Sequence, residues 1–139
     1  MKLSEINALG QSLRRIDQTL LNPAKTVDSE RIWYQGGEPY FDVFIERHQN
    51  TVEWFQITLR GRSLSWHRQH NHWHTGHTNE MQTDDISFYP ASKVIESDQR
   101  PDRQFLQTIE AILQSRAGEA MFDQLLAIFA AARTQTVLD

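Results

Sequence analysis

The feature that most constrains this chain is an alternation of apolar and polar side chains with a period of two. It runs through residues 40–47, through residues 52–60 and from residue 63 onward, and turn residues separate the three stretches. Successive side chains of a strand point to opposite faces of a sheet, so the pattern predicts an antiparallel meander with one face against a core. Shorter apolar runs at 31–35 and 86–89 bring the expected number of strands to three to five.

Keeping the apolar residues on one face also predicts the loops of two hairpins, because a slip of one residue would turn every side chain to the other face. A three-residue loop at 49–51 satisfies this condition in the first hairpin. In the second, Gly61-Arg62 suits a two-residue type II′ turn. The predicted pairs are Phe41 with Leu59, Val43 with Ile57, Ile45 with Phe55 and Arg47 with Glu53, then Leu59 with Leu64 and Ile57 with Trp66.

Helical periodicity flanks the meander on both sides. Apolar residues at steps of three and four predict a first helix from Ser4, as N-cap, to about Leu21. Two further helices are predicted at 101–116 and 119–133, the last with an apolar face wide enough to be deeply packed or shared with a partner. The expected fold is a single α+β domain over residues 1–139, with an N-terminal helix, the meander and two C-terminal helices packed on the sheet.

Five of the six histidines lie within the eleven residues from His67 to His77. Imidazole is the commonest protein ligand of transition metals, and in an extended chain every second side chain points the same way. One hypothesis is therefore a metal site for Zn or Fe, on a metal-binding protein or a metalloenzyme. Its candidate ligands are His70, His72 and His74, with Glu80 or Asp84 as a further ligand.

A second interpretation of the same stretch needs no metal. Residues 68–84 carry almost no aliphatic side chain, which is typical of a long solvated loop, and no supporting pattern of ligand partners is visible. Residues 60–77 hold three arginines and no acid, whereas residues 80–98 are acidic, so the two stretches are expected to neutralise each other. A nucleic-acid partner is disfavoured, because the net charge is −4. Both interpretations of the histidines stay open.

The leading hypothesis is a small, non-enzymatic, cytoplasmic protein-interaction or binding module that forms a homodimer. The chain has no cysteine, no long apolar segment and no complete nucleophile or phosphate-binding motif. Residues 1–5 lack the apolar region of a signal peptide, so none is expected. No cofactor and no membrane partner are expected. The second face of the sheet and the last helix carry the aromatic residues that interfaces favour. The candidate interaction residues are Tyr40, Phe44, Trp54 and Phe129.

Overall fold

The computed structural model describes residues 1–16, 29–78 and 95–134. An N-terminal helix precedes a meander of antiparallel strands, and two helices follow it, which confirms the α+β prediction. The strands lie in the sheet in their order along the chain. The helices are α1 (Leu3–Ser12), α2 (Arg103–Gln114) and α3 (Ala120–Thr134), and the strands are β1 (Arg14–Arg15), β2 (Ser29–Gln35), β3 (Asp42–His48), β4 (Thr51–Leu59), β5 (Arg62–His67), β6 (His72–Thr78) and β7 (Ile95–Ser97).

The prediction of three to five strands is too low. In the described part of the chain, six strands have three residues or more, and β1 adds a two-residue strand at the edge. The main addition is β6, in a stretch where the polar composition predicts a loop. Its backbone pairs with β5 along its length, and Trp73 is buried in the core. The strand predicted at 86–89 lies outside the described residues.

The first helix is shorter than predicted. It ends at Ser12, and Leu13 takes an extended conformation and is buried in the core. The following two arginines pair with β2 as β1, so sheet pairing replaces the helix that the periodicity predicts. The N-cap is Lys2, which makes no side-chain cap, and not Ser4. The remaining part of the predicted helix, from residue 17, lies outside the described residues.

The first hairpin has the predicted register but a different loop. Gln49 and Asn50 both have positive φ, as a two-residue type I′ turn requires. The register is preserved because Glu53 is an extra residue on β4, a β-bulge between the pairs made by Glu46 and Arg47. The confirmed pairs are Val43 with Ile57 and Ile45 with Phe55, whereas Arg47 lies opposite Val52 and not Glu53.

The turn of the second hairpin is displaced by one residue from its predicted place. Arg60 and Gly61 form it, with φ values of 51° and 80°, so this is also a type I′ turn and not type II′. Ile57 consequently lies opposite Leu64 and Leu59 opposite Arg62. The register differs by two residues from the predicted one. A shift of two returns each side chain to the same face, and the assignment of faces therefore holds.

One face of the sheet packs on the C-terminal helices. The ring of Phe129 on α3 lies 6.0 Å from Phe55 and 5.0 Å from Trp73, and Tyr34 lies 4.9 Å from Phe122. These aromatic contacts form the centre of the core. A continuous row of buried residues crosses five strands beneath them: Ile32, Ile45, Phe55, Trp66 and Trp73.

A polar network fixes the N-terminus of α2 to β5 and β6. Asp102 caps the helix by accepting from the backbone N–H of Phe105 and also accepts from Arg62 at 2.6 Å. These two interactions lower the pKa of the Asp102 carboxyl, the one with Arg62 most. The hydroxyl of Thr75 donates to Asp98 and accepts from the backbone N–H of Asp102, at 2.6 and 2.8 Å. The helix therefore begins at a defined point on the sheet.

Helix α1 touches α2 closely at Gly10. A Cβ there would lie 1.7 Å from Ser115 Oγ and 2.5 Å from the carbonyl oxygen of Ile112. We expect Gly10→Ala to destabilise the protein by roughly 1–3 kcal/mol, as other overpacking changes do, despite a helix propensity that favours Ala by about 1 kcal/mol. Urea unfolding measures the effect. Asn7→Ala, at an exposed position of the same helix, is the control and should be neutral or stabilising. A Gly10→Ala variant as stable as Asn7→Ala would contradict the close contact.

Candidate functional site

The histidine run forms a hairpin rather than a loop. In β5 and β6, His67 lies opposite His72 and Trp66 lies opposite Trp73. Both tryptophans are buried in the core, so the two histidines point to the other face of the sheet, away from the helices. The connection contains a 3₁₀ turn, Gln69–Asn71, in which His70 has a φ of 68°.

Three of the histidines share one patch, which we call the histidine trio: His67, His72 and His74. His74 follows His72 by two residues on β6, and their ring centroids are 6.0 Å apart. His67 lies across from His72 on the neighbouring strand, with its ring 6.2 Å from that of Trp54. His74 Nε2 is 2.6 Å from Ser97 Oγ, so this ring is held toward β7. His67 and His72 are exposed and His74 is half-buried.

The environment of the trio disfavours the protonated form of His67. Desolvation by neighbouring atoms lowers the pKa of its imidazole most, although the side chain is largely exposed, and the charges of His72 and His74 lower it further. The three rings are therefore close enough to act on one another electrostatically. At neutral pH, His67 is expected to be uncharged and to offer a nitrogen lone pair.

The structure does not bring the predicted metal ligands together as a set. His72 and His74 share a face, but His70 lies in the turn and does not continue their alternation. Glu80 and Asp84 lie outside the described residues. Within residues 1–16, 29–78 and 95–134, no three His, Asp or Glu side chains are positioned to hold a metal ion. The sequence did not indicate that His67 lies beside His72, because this proximity depends on cross-strand pairing.

Each arginine of the acid-free stretch has a carboxylate partner. Arg62 lies 3.7 Å from Asp98, at the end of the acidic stretch 80–98 that was expected to neutralise it, and closer to Asp102, which lies beyond that stretch. Arg60 and Arg68 find their partners earlier in the chain. The shortest ion pairs are Arg60 with Glu38 at 2.8 Å, Arg62 with Asp102 at 2.6 Å and Arg68 with Glu53 at 3.2 Å.

The predicted interaction residues do not lie on one surface. Tyr40 is 39% exposed, but it precedes β3 in a positive-φ conformation. Phe44 is buried and stacks on Trp33 at 5.5 Å, while Trp54 is half-buried on the second face of the sheet. Phe129 is 1% exposed and lies in the core, because it belongs to the stripe of α3 that packs on the sheet.

A groove of about 540 Å³ lies between α3 and the ends of strands β4 and β5. One wall is a stripe of α3 at helical spacing: Gln124, Ala127, Ile128 and Ala131. At the start of this stripe, the Gln124 amide donates to the backbone carbonyl of Asn50 at 2.8 Å, which ties the helix to the turn between β3 and β4. The groove is open to solvent and is not an enclosed cavity.

The other wall of the groove carries a positive charge on an aromatic ring. Val52, Trp66 and Arg68 line it. The guanidinium of Arg68 lies 5.1 Å from the centre of the Trp66 ring, a cation–π distance. Arg68 Nε donates to the backbone carbonyl of Val52 at 2.8 Å and lies 3.2 Å from Glu53. The guanidinium is therefore held in place at the rim.

One signal for this groove was present in the sequence. The apolar face of the last helix covers more than half of its circumference, more than one sheet contact needs. In the structure, one side of α3 enters the core through Met121, Phe122, Leu125, Phe129 and Ala132. The adjoining side lines the groove. The wall that carries Arg68 had no comparable signal in the sequence, because its residues come from two turns that are distant along the chain.

Comparison of the chain with protein-family models, curated proteins and solved structures found no match. In the part of the chain that the structure describes, no helix has the length and apolar character needed to cross a membrane. The groove is consequently the feature from which function is inferred.

The lowered pKa of His67 can be tested by titration. We expect NMR titration of the imidazole resonances to place the pKa of His67 below the ordinary value of about 6.5. A folded-state pKa below the unfolded one means that stability is lost as the pH falls from about 6.5 through the folded value. Replacing His72 and His74 with Asn should raise the pKa of His67, and His70→Asn should leave it unchanged. A His67 pKa at or above 6.5 would contradict the described environment.

Proposed function

We propose that this chain is a non-enzymatic binding module that holds a polypeptide segment of a partner protein in the groove beside α3. The observation that carries the proposal is the pairing of one apolar wall with one wall that presents a fixed guanidinium. Such a cleft combines burial of apolar side chains with an oriented polar contact, as ligand sites generally do. The segment that it fits has apolar side chains next to a carboxylate.

The apolar wall supports this choice through its composition. Residues 125–132 of α3 contain no charged side chain, although the helix has one side in solvent. Ala127 and Ala131 are exposed in the groove, and their small side chains let another backbone approach the helix closely. Ile128 is half-buried between them and offers apolar surface to an incoming side chain.

The wall that carries Arg68 supports the choice of a carboxylate on the bound segment. Arg68 uses its Nε for contacts within the protein, and among the described residues its two terminal nitrogens have no hydrogen-bond partner. A planar guanidinium with free terminal nitrogens suits bidentate binding of a carboxylate. Stacking on Trp66 limits the rotation of the side chain, so less entropy is lost when the ligand binds.

Selection of peptides from a random displayed library, followed by affinity measurement, tests the proposal. We expect enrichment of peptides that combine apolar and acidic residues. Ala127→Trp fills the groove and should weaken their binding by about tenfold or more, equivalent to ~1.4 kcal/mol. Arg68→Gln should weaken binding of the acidic peptides specifically. The matched control is Ala130→Trp, at an exposed position of α3 outside the groove, which should leave affinity within about twofold. Equal losses for the two tryptophan variants, or no enrichment, would contradict the proposal.

A homodimer, expected from the sequence, stays a prediction. Phe129 lies in the core and cannot serve as a probe of the interface, which leaves Trp54, half-buried on the second face of the sheet. Light scattering of the intact chain should give twice the monomer mass, and Trp54→Ala should give a folded monomer. A monomeric parent protein, or a dimer unaffected by Trp54→Ala, would rule out this surface as the interface.

A further inference from the structure

We propose that the segment bound in the groove beside α3 is an amphipathic α-helix of a partner protein. Its apolar stripe lies on α3, and an acidic residue beside that stripe contacts Arg68. This helix is the polypeptide segment of the proposed function, on which the inference rests. What is added is the conformation of the bound segment and the spacing of its side chains.

Main-chain oxygens at the rim of the groove already accept hydrogen bonds. The carbonyl of Asn50 accepts from the Gln124 amide, and that of Val52 accepts from Arg68 Nε, both at 2.8 Å. The carbonyl of Arg68 accepts from the backbone N–H of Asn71 at 3.0 Å. A bound segment that needed these oxygens would have to displace contacts that hold the rim together.

The two strands that border the groove, β4 and β5, are interior strands of the sheet. Thr51 and Val52 pair with β3, while further along β4 pairs with β5. Trp66 pairs with Phe55 on one side and with Trp73 on the other. Peptides that bind as an added strand obtain their affinity from main-chain hydrogen bonds to an exposed sheet edge. Interior strands do not offer such an edge.

A helix needs no main-chain partner from the groove. Its N–H and C=O groups bond to one another within the segment, so its backbone stays satisfied when one side is buried. An extended segment in the same place would turn part of its main chain toward apolar side chains, and each buried group without a partner costs free energy. The groove therefore favours a helical segment over an extended one.

The exposed surface of α3 suits contact with another helix. Ala127 and Ala131 are exposed and lie about one turn apart, with the half-buried Ile128 beside them. Small side chains leave a shallow depression on a helix, into which a ridge of side chains from a second helix fits. From Gln124 to Ala131 the stripe extends over roughly 10 Å, which is about two helical turns. The partner helix is expected to cover it with apolar residues at steps of three and four.

The charge of the partner helix follows from the opposite wall. The guanidinium of Arg68 lies over the Trp66 ring, and its Nε is 3.2 Å from Glu53. In the described part of the chain, these contacts leave the terminal nitrogens to bind a carboxylate. Because Arg68 faces the groove from the side opposite α3, the acidic residue flanks the apolar stripe and does not interrupt it. This arrangement gives an amphipathic helix with an acidic flank.

Two synthetic peptides of identical composition test the inference. Each contains leucine, glutamate, glutamine and alanine in about fifteen residues, enough for a helix to form. In the first peptide the leucines recur at steps of three and four, with glutamates beside them; in the second the leucines recur at steps of two. We expect fluorescence anisotropy to show that the first binds at least about tenfold more tightly. Equal binding of the two, or tighter binding of the second, would overturn the inference.

Proline substitution in the first peptide gives a second readout that needs no variant of the protein. Proline at a central position, on the side away from the leucines, should weaken binding by about tenfold or more, because it breaks a helix. Proline at the first position is the control and should be tolerated, because its ring fits the first turn of a helix. If the central proline is tolerated as well as the first, the bound segment is not helical.

The contact with Arg68 is tested by a double-mutant cycle. Replacing the glutamates of the first peptide with glutamine should weaken its binding to the parent protein. The same replacement should have little further effect on binding to Arg68→Gln, because the partner of the carboxylate is then absent. Independent, additive losses would contradict the placement of the acidic flank on Arg68.

The groove variants separate this inference from the proposed function. Peptides that lose affinity with Ala127→Trp but not with Ala130→Trp occupy the groove. If such peptides bind in an extended form, the inference of a helix fails and the proposed function stands. If no peptide distinguishes the two variants, both fail. A dimer of the parent protein that Ala127→Trp dissociates would identify a second copy as the occupant and overturn the choice of a partner protein.

Discussion

The packing of the aromatic row on α3 is the interaction on which the rest of the structure depends. Phe55 and Trp73 meet Phe129 at the centre of the core, and Trp66 stacks on Phe55 at a ring distance of 5.8 Å. Aromatic side chains contribute more buried surface than any others, so this contact decides which face of the sheet meets the helices. Since strand side chains alternate, it also decides that the histidine trio lies on the opposite face.

The faces of the sheet were predictable from sequence, and the loops were not. Alternation identifies the apolar side of a strand, and together with an assumed short loop it placed Ile45 opposite Phe55 correctly. A shift of two residues or a bulge leaves every face unchanged, so alternation cannot detect either one. The turn at Arg60-Gly61 and the extra residue Glu53 are such cases. Strand β6 was missed because backbone pairing with β5 does not depend on its polar side chains.

The candidate sites depend more on tertiary structure than the fold does. His70 does not share a face with His72 and His74 because its positive φ places it in a turn, whereas His67 lies beside His72 through pairing across the hairpin. The groove requires α3 to lie beside the turn at Asn50 and the rim residue Arg68, which no local pattern encodes. Only the unusually wide apolar face of the last helix was visible in advance.

The most direct test of this account is the alternation of β6 itself, and the absence of native cysteine makes it straightforward. Single cysteines are introduced at His72, Trp73, His74 and Thr75, and their rates of labelling with a maleimide are compared under native conditions. Thr75→Cys is the decisive variant, because the position is 1% exposed and cysteine is no larger than threonine. Since the Thr75 hydroxyl also bonds Asp98 and the backbone N–H of Asp102, circular dichroism and urea unfolding first establish that this variant is folded. Rapid labelling is expected at 72 and 74, and strong protection at 73 and 75. Uniformly rapid labelling at all four positions, as in a solvated loop, would contradict it.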